Sequence, residues 1–353
     1  MCAGALAQEL LRQCPTAQLS GMGGNMLAEA GATIKIPMSR LCFTGFWDVL
    51  RNIPNVMRLK KEIVAHWKKD RPDSIILVDC PDFNLPLAKE AHALNIPVYY
   101  FMAPQFWAWK QHGMKHLQNY VDSIICALPF EPDYFQEQGC KAHYVGHPLQ
   151  DIIPLTSLDA LSPDHQSIGL LPGSRKKEIQ FLLPEFIKAA QRIHQVNPSI
   201  TFSIARAPGI RKNFICRYLP ENLPVTIVEP ESRFEMIRKS YLVIAASGTA
   251  TLETALIGTP TIVAYKLDSP AAFILQRLAI AKFMSLTNIL FNKEIFPELL
   301  QKNATAESYS NQIMTWLNNP ELLKDLRSQL QAIRHLAGPS GGLNAAAKHI
   351  LVS

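Results

Sequence analysis

Hydrophobic and polar positions in the first part of the chain, up to about Gln150, alternate between helical segments and short apolar runs. Each run is followed by polar residues, proline or glycine, which commonly end a strand. Short apolar strands separated by helices are typical of a parallel sheet covered on both faces. Four runs fit this pattern: SIILVD (74–79), PVYYFMA (97–103), SIICALP (123–129) and HYVGHP (143–148).

The pattern restarts at about Asp151, after a stretch rich in proline and serine (152–166) that we interpret as a linker. IGLLPGS (168–174) predicts a strand and a glycine-rich turn, and the following residues (177–193) predict a helix. Four more strands are predicted at 201–208, 225–230, 242–247 and 259–266, and a helical tail begins at about Pro320. The chain therefore predicts an α/β protein with two doubly wound, Rossmann-like domains, 1–150 and 151–335. Such domains bind ligands at the carboxyl ends of their strands, so we expect a central cleft that both domains face.

Composition narrows the class of protein. Of the 353 residues, 48% are hydrophobic and 18% are charged, which suits two sizeable cores and excludes a disordered chain. No apolar stretch reaches the roughly eighteen residues of a transmembrane helix, and the start lacks a signal-peptide layout, so we expect a cytoplasmic protein. The net charge of +6 favours an anionic ligand or membrane surface over nucleic acid, since no basic block stands out. The seven cysteines show no CxxC spacing, which favours packing over a disulfide or zinc framework.

Two loops of the second domain suit an anion. Ser247, Gly248 and Thr249 form a turn between a strand and a helix, whose first N–H groups can bind phosphate. Glu253, one turn into that helix, can accept hydrogen bonds from a ribose diol. In LLPGSR, Ser174 can cap a helix and Arg175 can bind a phosphate in bidentate fashion. Helix capping alone would also explain these residues, but two such loops in one domain favour a nucleotide diphosphate.

A carboxylate follows the first predicted strand of the amino-terminal part. VDCPDFN places Asp79, Asp82 and Asn84 around the strand end, where Asp79 is suited to act as a general base. An Asx turn or a helix cap is the alternative, and it fits Asp82 or Asn84 better than Asp79. The cluster has too few ligands for a metal site, so we predict none. Further along, the motif FWAWK contains two tryptophans, one of which, Trp109, we expect to line a pocket.

The segment 42–67 combines aromatic and cationic residues, as interfacial helices do. We expect Pro54 to break or kink it into two helical pieces. A buried helix with a basic solvent face is the alternative interpretation. The residues expected at a membrane interface are Phe43, Phe46, Trp47, Leu50, Arg51, Arg58, Lys60 and Lys61.

Together these motifs resemble lipid A disaccharide synthase, a family of glycosyltransferases with the two-domain GT-B architecture. The resemblance covers nearly the whole chain and is carried by VDCPDFN, APQFWAWK, LPFEPDYF, VGHP, LLPGSRKKEI, ASGTATLE and SLTNIL. It implies an inverting transfer from UDP-2,3-diacylglucosamine to 2,3-diacylglucosamine 1-phosphate, with release of UDP and no cofactor. The implied location is the inner face of the bacterial inner membrane, as a peripheral protein.

The resemblance also implies roles for individual residues. Asp79 matches the base that deprotonates the acceptor hydroxyl. The nucleotide-sugar donor is assigned to Ser174, Arg175, Ser247, Gly248, Thr249, Glu253 and Asn288, and the acceptor or cleft to Asp82, Asn84 and Trp109. A homodimer is implied, with the carboxyl-terminal helix (336–353) packed across domains or exchanged between subunits.

One departure leaves alternatives open. Members of the family open with a strand and a glycine-rich loop before the helix with which this chain begins, so the first strand is expected to be missing here or encoded upstream. The alternatives are another UDP-sugar enzyme of the same architecture, namely a peptidoglycan-precursor glycosyltransferase or a UDP-sugar epimerase, or an inactive protein that binds the membrane surface.

Overall fold

The computed structural model of the chain describes residues 1–41, 46–108, 113–267 and 280–352, with only the backbone of residues 46–51. The chain forms two compact units. The first comprises Met1–Ile152, Leu278–Ile280 and Ala337–Ser353, and the second comprises Ile153–Arg277 and Ala281–Leu336. After the second unit the chain thus returns to the first.

The first unit contains a four-stranded parallel sheet in the order β3-β4-β5-β6 and a two-stranded parallel sheet, β1-β2. The four predicted strands are confirmed, whereas β1 and β2 were not predicted. The strands are β1 (Ser20–Gly23), β2 (Thr33–Pro37), β3 (Ile75–Val78), β4 (Val98–Phe101), β5 (Ser123–Cys126) and β6 (Ala142–Tyr144). The α-helices described in this unit are α1 (Cys2–Gln13), α2 (Asn25–Glu29), α3 (Phe46–Lys69), α4 (Pro81–Ala93), α5 (Met114–Tyr120), α6 (Glu131–Glu137), α7 (Leu149–Ile152) and α17 (Gly342–Val352).

Strand β4 shows why this sheet is covered on both faces, since all four of its residues are buried. Val98 and Tyr100 pack into one core with residues of β3, α4 and α5. Tyr99 and Phe101 point to the other face and pack against residues of α1 and α17, among them Leu6 and Leu343. The carboxyl-terminal helix therefore completes a core of the first unit.

The second unit contains a six-stranded parallel sheet in the order β12-β11-β10-β7-β8-β9. This is the strand order of a doubly wound nucleotide-binding domain. Its strands are β7 (Asp164–Leu171), β8 (Thr201–Ala205), β9 (Val225–Val228), β10 (Ser240–Ala246), β11 (Thr261–Tyr265) and β12 (Glu298–Leu300). The α-helices described in it are α8 (Leu155–Asp159), α9 (Lys176–Val196), α10 (Lys212–Cys216), α11 (Arg233–Lys239), α12 (Thr249–Ile257), α13 (Leu286–Phe291), α14 (Ala306–Leu317), α15 (Pro320–Leu330) and α16 (Ile333–Leu336).

The order of the strands fixes a switch point between β7 and β10, where the connections leave in opposite directions. Parallel pairing places Ala245 beside Leu171, so the loops that follow these two strands begin about one strand spacing apart, roughly 4.8 Å. Ligands of doubly wound sheets bind at such a switch point. Both anion-suited loops of the sequence lie there.

Two local predictions need correction. Helix α3 runs from Phe46 to Lys69 with Pro54 inside it and is not broken into two pieces. The stretch interpreted as a linker is partly ordered secondary structure, because α8 and the start of β7 lie within it. Pro54 lies inside the helix, where proline lacks the N–H for one backbone hydrogen bond, and the helix continues on both sides of it.

Candidate functional site

The turn after β7 binds a carboxylate of its own. Gly173 has φ +104°, and a Cβ there would lie 2.5 Å from Oε2 of Glu178. The backbone N–H groups of Ser174 and Arg175 donate to that oxygen, at 3.0 and 3.2 Å. Nη1 of Arg175 donates to Oε1 at 2.6 Å. The turn thus gathers two N–H groups and a guanidinium around one anion, the chemistry that the sequence predicts for a phosphate.

The turn after β10 begins helix α12 at Gly248, which has φ +142° and open space where a Cβ would be. Ser247 donates its hydroxyl to the carbonyl oxygen of Met284 at 3.0 Å, so this hydroxyl stabilises the turn. Thr249 is exposed at the first position of the helix. The first N–H groups of a helix lack intrahelical acceptors and favour an anion there.

Glu253 is buried and paired with Arg233, a residue that the sequence analysis missed. The two groups meet at 3.3 Å (Nε to Oε2) and 3.4 Å (Nη2 to Oε1). Arg233 also stacks over the ring of Phe234, at 4.1 Å from the ring centroid. A ribose diol would therefore meet a carboxylate that already has a cationic partner. In the sequence, Arg233 is marked only by its position just after a predicted strand, in PESRF (230–234).

Asn288, which was assigned to the nucleotide-sugar donor, forms hydrogen bonds within the protein through both ends of its side-chain amide. It is fully buried, and its amide oxygen accepts from the N–H groups of Ile295 and Phe296, both at 2.9 Å. Its amide nitrogen donates to the carbonyl oxygen of Phe296 and to Glu298, both at 2.8 Å. Because both ends of the amide are occupied, direct contact of Asn288 with a donor is corrected to a role in holding this segment.

In the first unit, Asp79 lies in a strained turn at the end of β3. Asp79 and Cys80 both have φ +50°, a left-handed conformation that costs a non-glycine residue about 1–3 kcal/mol. The hydroxyl of Tyr100 donates to the Asp79 carbonyl oxygen at 2.6 Å, and the Asn84 amide donates to the same oxygen at 2.6 Å. The Asp79 residue itself is exposed. The fold thus maintains a costly backbone conformation where a carboxylate faces solvent.

Asn84 and Asp82 occupy different environments in that turn. Asn84 is buried and also donates to the Val78 carbonyl oxygen at 3.1 Å, so its amide nitrogen supports the turn, while its contact with the acceptor stays a prediction. Asp82 is exposed in the first turn of α4. Tyr100, whose pKa burial raises, stays a neutral donor and was missed because it reads as a strand residue.

Glu131, in LPFEPDYF, is a second buried carboxyl group that the sequence analysis left without a role. It is 2% exposed and accepts from Nε1 of Trp107 at 3.0 Å. The N–H groups of Ala127 and Leu128 donate to its other oxygen at 3.1 and 3.0 Å. Burial raises the pKa of Glu131 to about 7 despite these donors. The residue ties the loop carrying Trp107 to the end of β5; the predicted Trp109 lies outside the described residues.

Helix α3 carries both buried and exposed apolar residues. Leu59, Ile63 and Val64 are buried against Phe83 and neighbouring residues. Nearer the amino-terminal end of the helix, Ile53 and Met57 are 45% and 57% exposed. Of the residues assigned to a membrane interface, Arg58 and Lys61 are exposed, Phe43 lies outside the described residues, and so do the side chains of Phe46, Trp47, Leu50 and Arg51.

Lys60 differs in burial from the exposed Arg58 and Lys61, and its place at a membrane interface stays a prediction. It is half-buried, and its ammonium lies 3.4 Å from the carbonyl oxygen of Asp82 and 5.4 Å from the centroid of the Phe83 ring. The helix turns this cation toward the start of α4 because Lys60 follows the buried Leu59.

No cluster of three or more His, Cys, Asp or Glu residues suited to a metal ion occurs among the described residues. None of the helices described there is both long and apolar enough to cross a membrane. His147 is buried, and burial lowers its pKa to about 4; its Nδ1 accepts from the Leu149 N–H at 3.2 Å, as a capping residue does.

Solved structures of low sequence identity share this fold. UDP-GlcNAc 2-epimerase from Neisseria meningitidis bound to UDP-GlcNAc superimposes with a TM-score of 0.70 at 10% identity, over 99% of this chain and 97% of that chain. Acinetobacter baumannii MurG gives 0.59 at 14% identity, over 100% and 96%. The calicheamicin glycosyltransferase CalG4 gives 0.62 at 13% identity, over 99% and 94%. The GT-B-like fold class is confirmed.

Relatives in sequence identify the family, whereas the solved structures above show only the fold. The lipid-A-disaccharide synthase of Alcanivorax borkumensis is 34% identical over 352 residues, which cover 97% of this chain and 92% of the relative. The enzyme of the same name from Nitrosococcus oceani is 32% identical over 344 residues, covering 95% and 89%. The family pattern described as lipid-A-disaccharide synthetase matches residues 1–340. The chain therefore belongs to the lipid-A-disaccharide synthetase family.

Proposed function

We propose that this protein is an inverting glycosyltransferase that joins UDP-2,3-diacylglucosamine to 2,3-diacylglucosamine 1-phosphate. The products are the β(1→6)-linked disaccharide 1-phosphate and UDP. The observation that carries the proposal is full-length membership of the family, because the fold alone is shared with epimerases and other glycosyltransferases.

The donor is assigned to the second unit. The turn after β7 and the start of α12 lie at the switch point, where backbone N–H groups and Arg175 offer donors to a diphosphate. Glu253 would accept hydrogen bonds from the ribose, sharing its charge with Arg233. The Glu178 carboxylate supports this assignment, since it already occupies the N–H groups of the turn after β7 as an anion. A diphosphate would replace that carboxylate or join it through Arg175.

Asp79 is assigned as the general base. Its carboxylate would take the proton of the acceptor's primary hydroxyl as that oxygen bonds to the anomeric carbon of the donor. The bond from that carbon to the UDP oxygen breaks, and UDP leaves with the electron pair. Donors aimed at the developing charge on the leaving group would lower the barrier, as such groups do in other transferases. The strained, doubly hydrogen-bonded turn supports Asp79 as a functional residue.

Docking to an anionic membrane belongs to the same proposal, since both substrates are acylated. The exposed Ile53 and Met57 next to the cations Arg58 and Lys61 support it. We expect Ile53→Ser with Met57→Ser to reduce co-sedimentation with anionic liposomes several-fold without lowering the melting temperature. Met26→Ser, an equally exposed apolar residue of the first unit, is the control. Unchanged liposome binding by the double variant would contradict this assignment.

A homodimer at the inner face of the inner membrane completes the proposal. Light scattering of the purified protein tests the dimer, and a mass of one chain at micromolar concentration would contradict it.

Product analysis tests the enzymatic proposal. The purified protein is incubated with both acylated substrates in neutral detergent micelles, and the lipid product and UDP are quantified together. We expect one disaccharide per UDP released. Release of UDP from unacylated UDP-GlcNAc, or its epimerisation, would favour the alternative UDP-sugar enzymes, and no turnover at all would favour a binding protein.

A further inference from the structure

Lys60 is a cation in an unusual setting for a surface helix. Its ammonium lies 5.4 Å from the centroid of the Phe83 ring and 3.4 Å from the backbone carbonyl oxygen of Asp82. Among the described residues no carboxylate lies within ion-pair distance of it. Burial lowers the pKa of the Lys60 ammonium, and the nearby Asp82 offsets only part of this cost. A half-buried lysine without an ion pair suits an anion supplied from outside the chain.

Lys60 contacts the turn that carries the candidate base, Asp79. Its contact, Asp82, is three residues from Asp79 in the same turn, and both aspartates are exposed. The neighbouring Lys61 is exposed. The two adjacent lysines of α3 therefore differ in environment although they share charge and helix.

We propose that Lys60 binds the phosphate monoester of the acceptor and so selects acceptors that carry it. This inference rests on the proposed function, in which the acceptor is a sugar 1-phosphate. An ammonium placed by its contacts with the Phe83 ring and the Asp82 carbonyl oxygen offers a charge-assisted hydrogen bond to a phosphate oxygen. Neither aspartate of the turn can fill this role, because carboxylates repel a phosphate.

The test compares two acceptors and two lysines in neutral detergent micelles, where no anionic surface contributes. The acceptors are 2,3-diacylglucosamine 1-phosphate and the same lipid without its phosphate. The variants are Lys60→Met, which keeps an apolar stem, Lys60→Arg, which keeps the charge, and Lys68→Met, at an exposed lysine of the same helix with no assigned role, as the control. Melting temperatures and UDP affinity are measured on the same preparations.

We expect Lys60→Met to raise the KM for the phosphorylated acceptor about 10- to 100-fold and to change the KM for the unphosphorylated one by less than about twofold. Lys60→Arg should recover most of the loss, and Lys68→Met should behave as wild type with both acceptors. Equal losses with both acceptors would mean that Lys60 only supports the turn, and an unchanged KM would mean that it contacts no phosphate. Either result overturns the inference while leaving the proposed reaction in place; absence of product from the wild-type protein would overturn both.

Discussion

The hydroxyl of Tyr100, on β4, donates a hydrogen bond of 2.6 Å to the carbonyl oxygen of Asp79, at the end of the neighbouring strand β3. This bond links the buried core of the first sheet to the exposed residue assigned as the base. Because the Asp79 backbone is left-handed, the turn needs such partners to persist.

We expect Tyr100→Phe to lower the free energy of unfolding by about 1–2 kcal/mol, the usual cost of a lost buried hydrogen bond. Turnover should fall by about tenfold or more, because the turn can relax to a less strained conformation. Urea unfolding and a disaccharide assay measure the two effects. Tyr99→Phe is the matched control, since that side chain packs on the opposite face of the sheet; similar turnover losses in both variants would contradict a specific role for Tyr100.

Replacement of Arg175 tests whether the turn after β7 binds the nucleotide-sugar donor. Its side chain is 76% exposed and its partner Glu178 is three residues away, so Arg175→Ala should change stability by less than about 1 kcal/mol. Loss of a charge-assisted contact with a diphosphate should lower kcat/KM for the UDP-sugar about 10- to 100-fold. Lys176→Ala, an exposed neighbour, should leave donor kinetics unchanged. Unaltered donor kinetics in Arg175→Ala would return this residue to a capping role.

Glu131 predicts a pH dependence of stability. Burial raises its pKa from 4.5 to about 7, so the folded state binds a proton that the unfolded chain has released. Its contribution to stability is therefore fully present below about pH 4.5 and is lost as the pH rises through about 7. Glutamine stays neutral, so the stability advantage of the wild-type protein over Glu131→Gln should shrink between pH 5 and pH 7.5.

Chemical unfolding at several pH values measures this difference, and comparing the two proteins cancels the opposing titration of His147. Glu137→Gln, at the exposed end of the same helix, is the control and should show no such trend. A difference between wild type and Glu131→Gln that is independent of pH would contradict the raised pKa.

The sequence predicted most of this fold because its strands are short, apolar and separated by helices. Strands β3 to β6 were predicted within a few residues, and β4 and β5 are buried along their whole length. Strands β1, β2 and β12 were missed because they are short and only partly buried. The break predicted at Pro54 did not occur in α3, because proline disfavours a helix only locally, whereas burial of Leu59, Ile63 and Val64 stabilises the helix through tertiary packing.

The site was predicted less completely, for a physical reason. Asp79, Arg175 and Glu253 come after predicted strand ends in the sequence, so they can be identified without a structure. Their partners lie far away in sequence: Tyr100 is 21 residues from Asp79, and Arg233 is 20 residues from Glu253. Such pairs depend on strand order, which apolar periodicity does not encode. The same limit applies to Asn288, whose polar side chain resembles a ligand contact until its buried partners are known.

The assignment of Asp79 as the general base is tested most directly by measuring disaccharide formation by the Asp79→Asn variant. Asparagine keeps the size of the side chain and removes the basic carboxylate, and Asp82→Asn makes the same change in the same exposed turn. We predict that Asp79→Asn lowers kcat at least about 100-fold, the usual contribution of a general base, while UDP affinity stays within about twofold of wild type. Asp82→Asn should lower kcat by less than about fivefold. An Asp79→Asn protein that retains more than about a tenth of wild-type turnover would contradict the assignment of Asp79 as the base.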